Sequence, residues 1–562
     1  MNKAGVLHLS ESFMAYAKSL DELNIRIRTD KEDDLDISLL YTYKFDEVRK
    51  WEEIEMEKSF EDEIFSYYEV DVKLLDKRFS YIFMIKEGDK SYYLCESGIH
   101  EDYDFANFCF TSFQMPYINR ADLLEPVDWM KDAVFYQIFV ERFRRGDFSK
   151  EDSYINQNWD DFPSPHSFAG GDLKGIIEKL DYIKSLGVNA LYLTPIFKSP
   201  TNHKYDIMDY FEIDPQFGDK KDFKNLVEKA HSLGIRIVLD AVFNHMSHKN
   251  PVFMDVREKG NESEFYDWFF IDGDVVDIEK INYETFAYVY NMPKLDTSKK
   301  KVQDYLIKIG KYWIEEFDID GWRLDVSDEV SHDFWKRFRK EIKASKKDCV
   351  IIGENWHNAE SFLRGDEFDS VMNYAFTNTT LDYFKGDISA KKASQNLNMV
   401  LMRNRDAVNR MMMNFLDTHD TPRFITEIDG DRDKFLAALA MSTVYMGANS
   451  IYYGTELGLE GGKDPDCRRA FPWDDLDKKK ELVDKIREIL AIKNHPAIKN
   501  GKIKIYSKEN ILIIERFDHE NSLGLAINLG DEKDFEITSE IFLANNYKNK
   551  ILAKNSFLIW GK

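Results

Sequence analysis

A TIM-type (β/α)8 barrel between two small β-domains is the α/β fold this sequence predicts, and three observations predict it. Short apolar runs alternate with amphipathic segments eight times from Ala133 onward. Before about residue 125, and again after about 498, only short alternating runs recur. Acidic, basic and histidine side chains gather where the apolar runs of the middle region end.

The first region, 1–125, carries Leu23–Thr29, Ile37–Tyr43, Tyr67–Leu75 and Tyr81–Lys86. Their period of two and the acidic turns between them predict a β-sandwich. The barrel region, 126–497, opens with the strand Ala133–Val140. Helix Gly175–Gly187 has Ile176, Ile177, Leu180, Ile183 and Leu186 at helical spacing and ends on glycine. Strand Ala190–Phe197, helix Phe223–Gly234 and strand Ile235–His245 follow. Residues 246–297 are irregular and long enough for a small lobe over the barrel mouth. Helix Val302–Phe317, strand Gly321–Val326, helix Asp333–Ser345 and strand Val350–Trp356 resume the rhythm, and Asp369–Ala375, Met412–Asp420 and Ser450–Gly454 complete eight strands. Residues 498–562 return to strand-like runs and predict a C-terminal β-domain.

The chain has 562 residues, a length for two to four domains. Its formal charge of −25, without a basic stripe, argues against nucleic acid and an anionic membrane surface, and is compatible with a neutral ligand. Cys95, Cys109, Cys349 and Cys467 form no CxxC pair and read as reduced thiols. The first residues lack an apolar signal-peptide core, and no apolar run reaches the roughly 20 residues of a membrane span. A cytoplasmic location is the expectation.

In a barrel of this kind the C-terminal strand ends converge on one mouth. The third strand ends in Asp240, Asn244 and His245, the fourth carries Arg323 and Asp325, the fifth ends in Glu354 and Trp356, and the seventh in His419 and Asp420. Each of these fits a cap or loop hydrogen bond by itself; together they suggest glycoside hydrolysis. That reaction needs one carboxylate to attack the anomeric carbon and one carboxylic acid to protonate the leaving oxygen, about 5–5.5 Å apart when configuration is retained. Asp325 and Glu354 are one βα unit apart, hence on neighbouring strands. Arg323, two residues before Asp325, points the same way and is expected to hold it ionised. Glu354 needs the opposite, a pKa raised by burial and by carboxylates such as Asp420.

With DAVFNH (Asp240–His245), GWRLDVSDE (Gly321–Glu329), GENW (Gly353–Trp356) and FLDTHDTPR (Phe415–Arg423) in this order, the sequence resembles the α-amylase family, glycoside hydrolase family 13. MPKLD (Met292–Asp296), Asn202–Asp219 and Gly461–Trp473 are similar to its neopullulanase, cyclomaltodextrinase and maltogenic amylase subgroup, and the resemblance extends to an N-terminal starch-binding-type module. It implies Asp325 as nucleophile, Glu354 as acid/base and Asp420 as a third carboxylate that grips sugar hydroxyls. By the same resemblance His245 and His419 are hydroxyl ligands, Tyr205 stacks beneath the scissile glucose, and Asp240 and Asn244 support the site. Asp464 and Arg468 bind a more distant sugar, and Phe286 and Trp356 are acceptor-side contacts. Asp240 and Asn244 equally fit a structural role, and Phe286 and Trp356 fit packing of the lobe.

The implied substrates are cyclodextrins, pullulan and starch-derived oligosaccharides, cleaved at α-1,4 bonds with α-1,6 as the second linkage, and with transglycosylation. An endo-acting α-amylase and a non-catalytic carbohydrate-binding protein are the alternatives. The subgroup implies a homodimer. It often carries a calcium loop after the first strand; here Arg145 and Lys150 stand where oxygen ligands would be, so no calcium and no other cofactor is expected. Asn355 replaces a usually apolar residue in the acid motif and bears on the balance of α-1,4 and α-1,6 cleavage. Thr455 replaces a usual Asp, with no expected consequence.

Overall fold

The computed structural model describes residues 1–45, 50–115 and 117–562. They form two compact units, and the first is larger in sequence than its N-terminal stretch: Met1–Pro126 is joined by Ile388–Asn409 and Lys502–Glu515.

In the first unit a sheet ordered Ala15–Ser19, Glu22–Asp30, Phe65–Lys73, Glu57–Glu61 faces a second built on Asp36–Tyr43 and Phe79–Glu87. Alternate residues of both, including Leu23, Ile25, Ile27, Leu39, Tyr81 and Phe83, form one buried core, the sandwich arrangement that the period-two pattern predicts. Helix Ala390–Met402 belongs to this unit. Its Asn398 Nδ2 donates to Glu61 O at 2.9 Å and to Ile505 O at 3.1 Å.

The second unit holds the barrel. Its parallel strands are Val134–Ile138, Ala190–Leu193, Arg236–Ala241, Gly321–Leu324, Val350–Gly353, Ser370–Val371, Met413–Phe415 and Ala448–Tyr452, each beside its chain neighbour, with the first also pairing the last. A parallel bridge between Met372 and Met413 closes the ring at its remaining gap. Every residue of these strands is buried except Arg236 at the entrance to the third, which explains their continuous apolar character. The helices bury one stripe each. Leu173–Ser185 starts at Asp172, whose carboxylate accepts from Gly175 N, and Lys220–Ser232 starts at a reciprocal Asp219–Asp222 cap. Gly187 and Gly234 follow these helices with φ of 90° and 67°, the left-handed stop expected of glycine.

The stretch 246–297 forms a lobe with helix Pro251–Lys259 and isolated bridges such as Thr285 to Pro293 and His245 to Lys294. The C-terminal strands Ser522–Asn528 and Glu540–Lys548 pair antiparallel with either side of Ile551–Gly561.

Candidate active site

Strand register sets the heights of the acids. Asp240 is paired with Arg323, and Leu324 with Gly353. Asp325 and Glu354 are the next residues on those two strands. They therefore leave the barrel at one level on neighbouring strands, which lie about 4.8 Å apart.

Arg323, fully buried, ties the carboxylates together. Its Nη1 lies 2.9 Å from Asp325 Oδ1 and 3.0 Å from Asp240 Oδ2. Its Nη2 lies 2.9 Å from Glu354 Oε1 and 4.0 Å from Asp420 Oδ2. A planar guanidinium fork suits this divided load. Glu354 Oε2 accepts from Val326 N at 3.0 Å, and Trp356 Nε1 donates to Oε1 at 3.3 Å. Val326 has φ of 46°, a region β-branched residues rarely occupy, so backbone strain sits beside Asp325.

Arg323 does not win the electrostatic contest over Asp325. Burial, and then the charge on Glu354, lift the Asp325 carboxyl well above the ordinary range despite the guanidinium. Arg323, two residues before Asp325, is visible in the sequence, whereas the burial that opposes it is not. Asp240 is also pushed up, to about 6, by burial, with Arg323, Tyr192 and Tyr205 opposing.

Tyr205 and His419 form the floor. The Tyr205 hydroxyl donates to Asp240 Oδ2 at 2.9 Å and lies 2.5 Å from His419 Nε2. Gln137 Nε2 faces His419 Nδ1 at 2.6 Å, which leaves the imidazole proton on Nε2. Nε2 is then a donor to the Tyr205 hydroxyl, which gives its own proton to Asp240, and Asp420 Oδ2 lies 3.2 Å from the same nitrogen. Burial drives the His419 pKa well down, so this ring is a neutral donor. Asp420 Oδ1 meets Arg468 Nη2 at 3.1 Å, and Arg468 Nη1 meets Asp464 Oδ1 at 2.9 Å. Asp464, Arg468 and His203 line a 260 Å³ cavity together with Asn291 and Met292 of the lobe.

On the other side, the His245 ring stacks on Phe286 at 5.0 Å, and its buried Nε2 has no hydrogen-bond partner among the described residues, a donor or acceptor open to a ligand. Burial lowers its pKa to about 3. Trp356 is half exposed and stacks on Tyr374 at 4.1 Å. Asn244 is fully buried and accepts from Lys294 Nζ, so it fastens the lobe and has no direct bond to the acids. Asn355 is also buried; its Oδ1 accepts from Ser327 Oγ at 3.0 Å, behind Glu354. Thr455 Oγ1 lies 3.4 Å from Asp417 Oδ1.

Sequence reasoning missed Gln137, Tyr192 and Tyr374. Gln137 was visible as the one amide in an apolar strand. Tyr192 bonds Asp240 Oδ2 at 2.6 Å, but a tyrosine in a buried strand reads as core.

The loop after the first strand does not fit a calcium ion. Lys150 Nζ lies 2.8 Å from Asp172 Oδ2, 2.9 Å from Gly170 O and 2.8 Å from Gln216 O. Asp147 pairs with Lys174 and Asp152 with Arg145. An ammonium thus takes up the oxygens a cation would need. Among the described residues, no group of three or more His, Cys, Asp or Glu side chains is arranged to hold a metal.

A barrel whose mouth carries acids on neighbouring strands, bound through one arginine, defines a glycoside hydrolase. Residues 137–499 match the alpha amylase catalytic domain, and residues 1–119 match the alpha amylase N-terminal ig-like domain. The chain belongs to the alpha-amylase family. It is 40% identical to a cyclomaltodextrinase of Geobacillus thermopakistaniensis (strain MAS1), over 95% of this chain and 92% of that one. It is 40% identical to an intracellular maltogenic amylase of Bacillus subtilis, over 88% of this chain and 84% of that one. A solved cyclomaltodextrinase structure superposes with a TM-score of 0.91 at 37% identity, covering 100% of this chain and 98% of that one. These relatives carry the subgroup names that the motifs suggested.

Proposed function

We propose that the chain hydrolyses α-1,4-glucosidic bonds in cyclodextrins, pullulan and short starch-derived oligosaccharides, with retention of configuration and with transglycosylation as a side reaction. One observation carries this reading: Asp325 and Glu354 stand at one level on adjacent strands, each against its own nitrogen of Arg323.

Asp325 attacks the anomeric carbon. The bond from that carbon to the leaving oxygen breaks as Glu354 gives that oxygen its proton. A β-glucosyl ester of Asp325 results. Glu354, now a carboxylate, takes a proton from water, whose oxygen attacks the same carbon and releases Asp325. A sugar hydroxyl in place of the water gives transglycosylation. Tyr205 lies beneath the ring being cleaved, and His245, His419 and Asp420 take its hydroxyls. Asp464 and Arg468 hold the next unit on one side, and Phe286 and Trp356 contact the acceptor side. No metal takes part in these steps, and Lys150 takes the place of a calcium ion in the loop after the first strand.

Wild type and Asp325→Asn should be compared on β-cyclodextrin, pullulan and starch. Activity of the variant within about tenfold of wild type is incompatible with the reading, since removal of a nucleophile costs far more. Panose from pullulan marks α-1,4 cleavage, and maltotriose marks α-1,6 cleavage.

We also propose a cytoplasmic homodimer. Support for the location is the intracellular maltogenic amylase of Bacillus subtilis among the relatives. Support for the dimer is the subgroup resemblance, and sedimentation of the full chain across concentrations tests it.

A further inference from the structure

Two lysines from different loops meet at one glutamine close to the site. Lys150 donates to the backbone oxygen of Gln216 at 2.8 Å, and Lys204 donates to its side-chain Oε1 at 2.5 Å. Each ammonium is held elsewhere as well. Lys150 has Asp172 Oδ2 at 2.8 Å and Gly170 O at 2.9 Å. Lys204, with no exposed surface, has Asp214 Oδ2 at 2.9 Å and Ser199 O at 3.4 Å. Burial lowers both pKa values while Asp172 and Asp214 pull them back up, the pattern of ammonium groups kept by their partners.

Lys204 immediately precedes Tyr205, and its φ is 65°. A long side chain takes up that left-handed backbone only where its surroundings over-determine it. Here the anchors are its own Nζ contacts. The strained residue turns the chain so that the Tyr205 hydroxyl reaches both Asp240 Oδ2, at 2.9 Å, and His419 Nε2, at 2.5 Å.

We propose that Lys150, Gln216 and Lys204 form a brace that positions Tyr205, with Lys150 acting as a cation built into the chain at its outer end. The proposal rests on the reading of Tyr205 as the ring beneath the scissile glucose. The three are positioning residues: none touches the substrate. A small displacement of a ring at the reacting centre suffices to lower turnover, by up to about 10²-fold per ångström of misplacement.

The test is a double-mutant cycle on the full chain, with kcat/KM for β-cyclodextrin at 25 °C and melting temperature measured together. Lys204→Met is expected to lower kcat/KM by about tenfold or more, and Tyr205→Ala by more. The double variant should be no worse than Tyr205→Ala alone, because the brace acts only through that ring. Gln216 supplies a second pair that spares the lysines. Gln216→Met, of similar length and without an acceptor, should lose activity, whereas Gln216→Glu, which still accepts from Lys204, should keep it. Effects of Lys204→Met and Tyr205→Ala that multiply, or variants that melt earlier with kcat/KM unchanged, would overturn the brace. Should wild type cleave none of the glucans, the proposed function fails. The same cycle is then read on calorimetric affinity for maltotriose, where coupling supports the brace and additivity removes it.

Discussion

The backbone N–H of Val326, held at φ 46°, donates to Glu354 Oε2 at 3.0 Å. This bond ties the Glu354 carboxyl to the residue that follows Asp325, in addition to the tie through Arg323. Oε1 is held in turn by Arg323 Nη2 at 2.9 Å and Trp356 Nε1 at 3.3 Å. Glu354→Gln keeps the size of the side chain and removes the transferable proton. Its kcat on maltotriose should fall about 10²–10⁴-fold, the usual contribution of a positioned acid. With α-maltosyl fluoride, whose leaving group needs no proton, the loss in forming the glucosyl ester should be much smaller. An equal loss on both substrates in burst kinetics would remove Glu354 from the acid role.

Asp325 sits in a place that disfavours its charge, because burial and Glu354 outweigh Arg323. Its raised folded pKa means the folded state holds the proton to higher pH than the unfolded chain does. That contribution favours folding less and less as pH climbs above the ordinary carboxylate range. Asp325→Asn should therefore melt at or above the wild-type temperature at pH 7.5, while being inactive. The difference should shrink toward pH 5. A variant melting several degrees below wild type at pH 7.5 would show that the bond to Arg323 outweighs burial.

Asp240 gives activity and stability opposite pH dependences. Its folded pKa of about 6 lies above the ordinary 3.8. Protonation on the way from pH 7 to 5 weakens the pairing with Arg323 and should lower kcat/KM. The same proton uptake is stronger in the folded than in the unfolded chain, so this group adds stability over that interval. Asp240→Asn should remove the part of the acid limb near pH 6 and flatten the matching part of the melting curve. An unchanged limb would assign it to another group.

Lys493 lies at the closed end of the barrel, buried, with Nζ donating to Gly447 O. Burial lowers its pKa from 10.5 to about 7. Between those values the unfolded chain binds a proton that the folded chain does not, so stability contributed here rises with pH from about 7 to about 10.5. Lys493→Met should be flatter over this range in denaturant titrations and more stable than wild type at pH 6.5. A variant less stable at pH 6.5 would show that the bond to Gly447 decides the balance.

Lys150 is proposed to take a cation's place in the loop after the first strand. Melting temperature and kcat/KM should be the same with EDTA and with millimolar calcium. A drop with EDTA that calcium reverses would show that an ion competes successfully for Asp172 and its neighbouring carbonyls.

The sequence determined the barrel, its order and which acids stand at the ends of its strands. Apolar strands buried on both faces and helices with one apolar stripe leave periodicities that survive in one dimension. Residues at strand ends must meet at one mouth whatever the details of packing. The sequence also showed Lys150 among would-be oxygen ligands. It did not reveal that 388–409 and 502–515 pack with the first unit, because a helix stripe states that it needs a partner and not which one. Tyr192, Gln137 and the meeting of Lys150 with Lys204 at Gln216 were likewise settled only in three dimensions. So was the direction of the Asp325 pKa: Arg323 two residues away is visible in the chain, but desolvation is a property of everything packed around the carboxyl, and it raises the value.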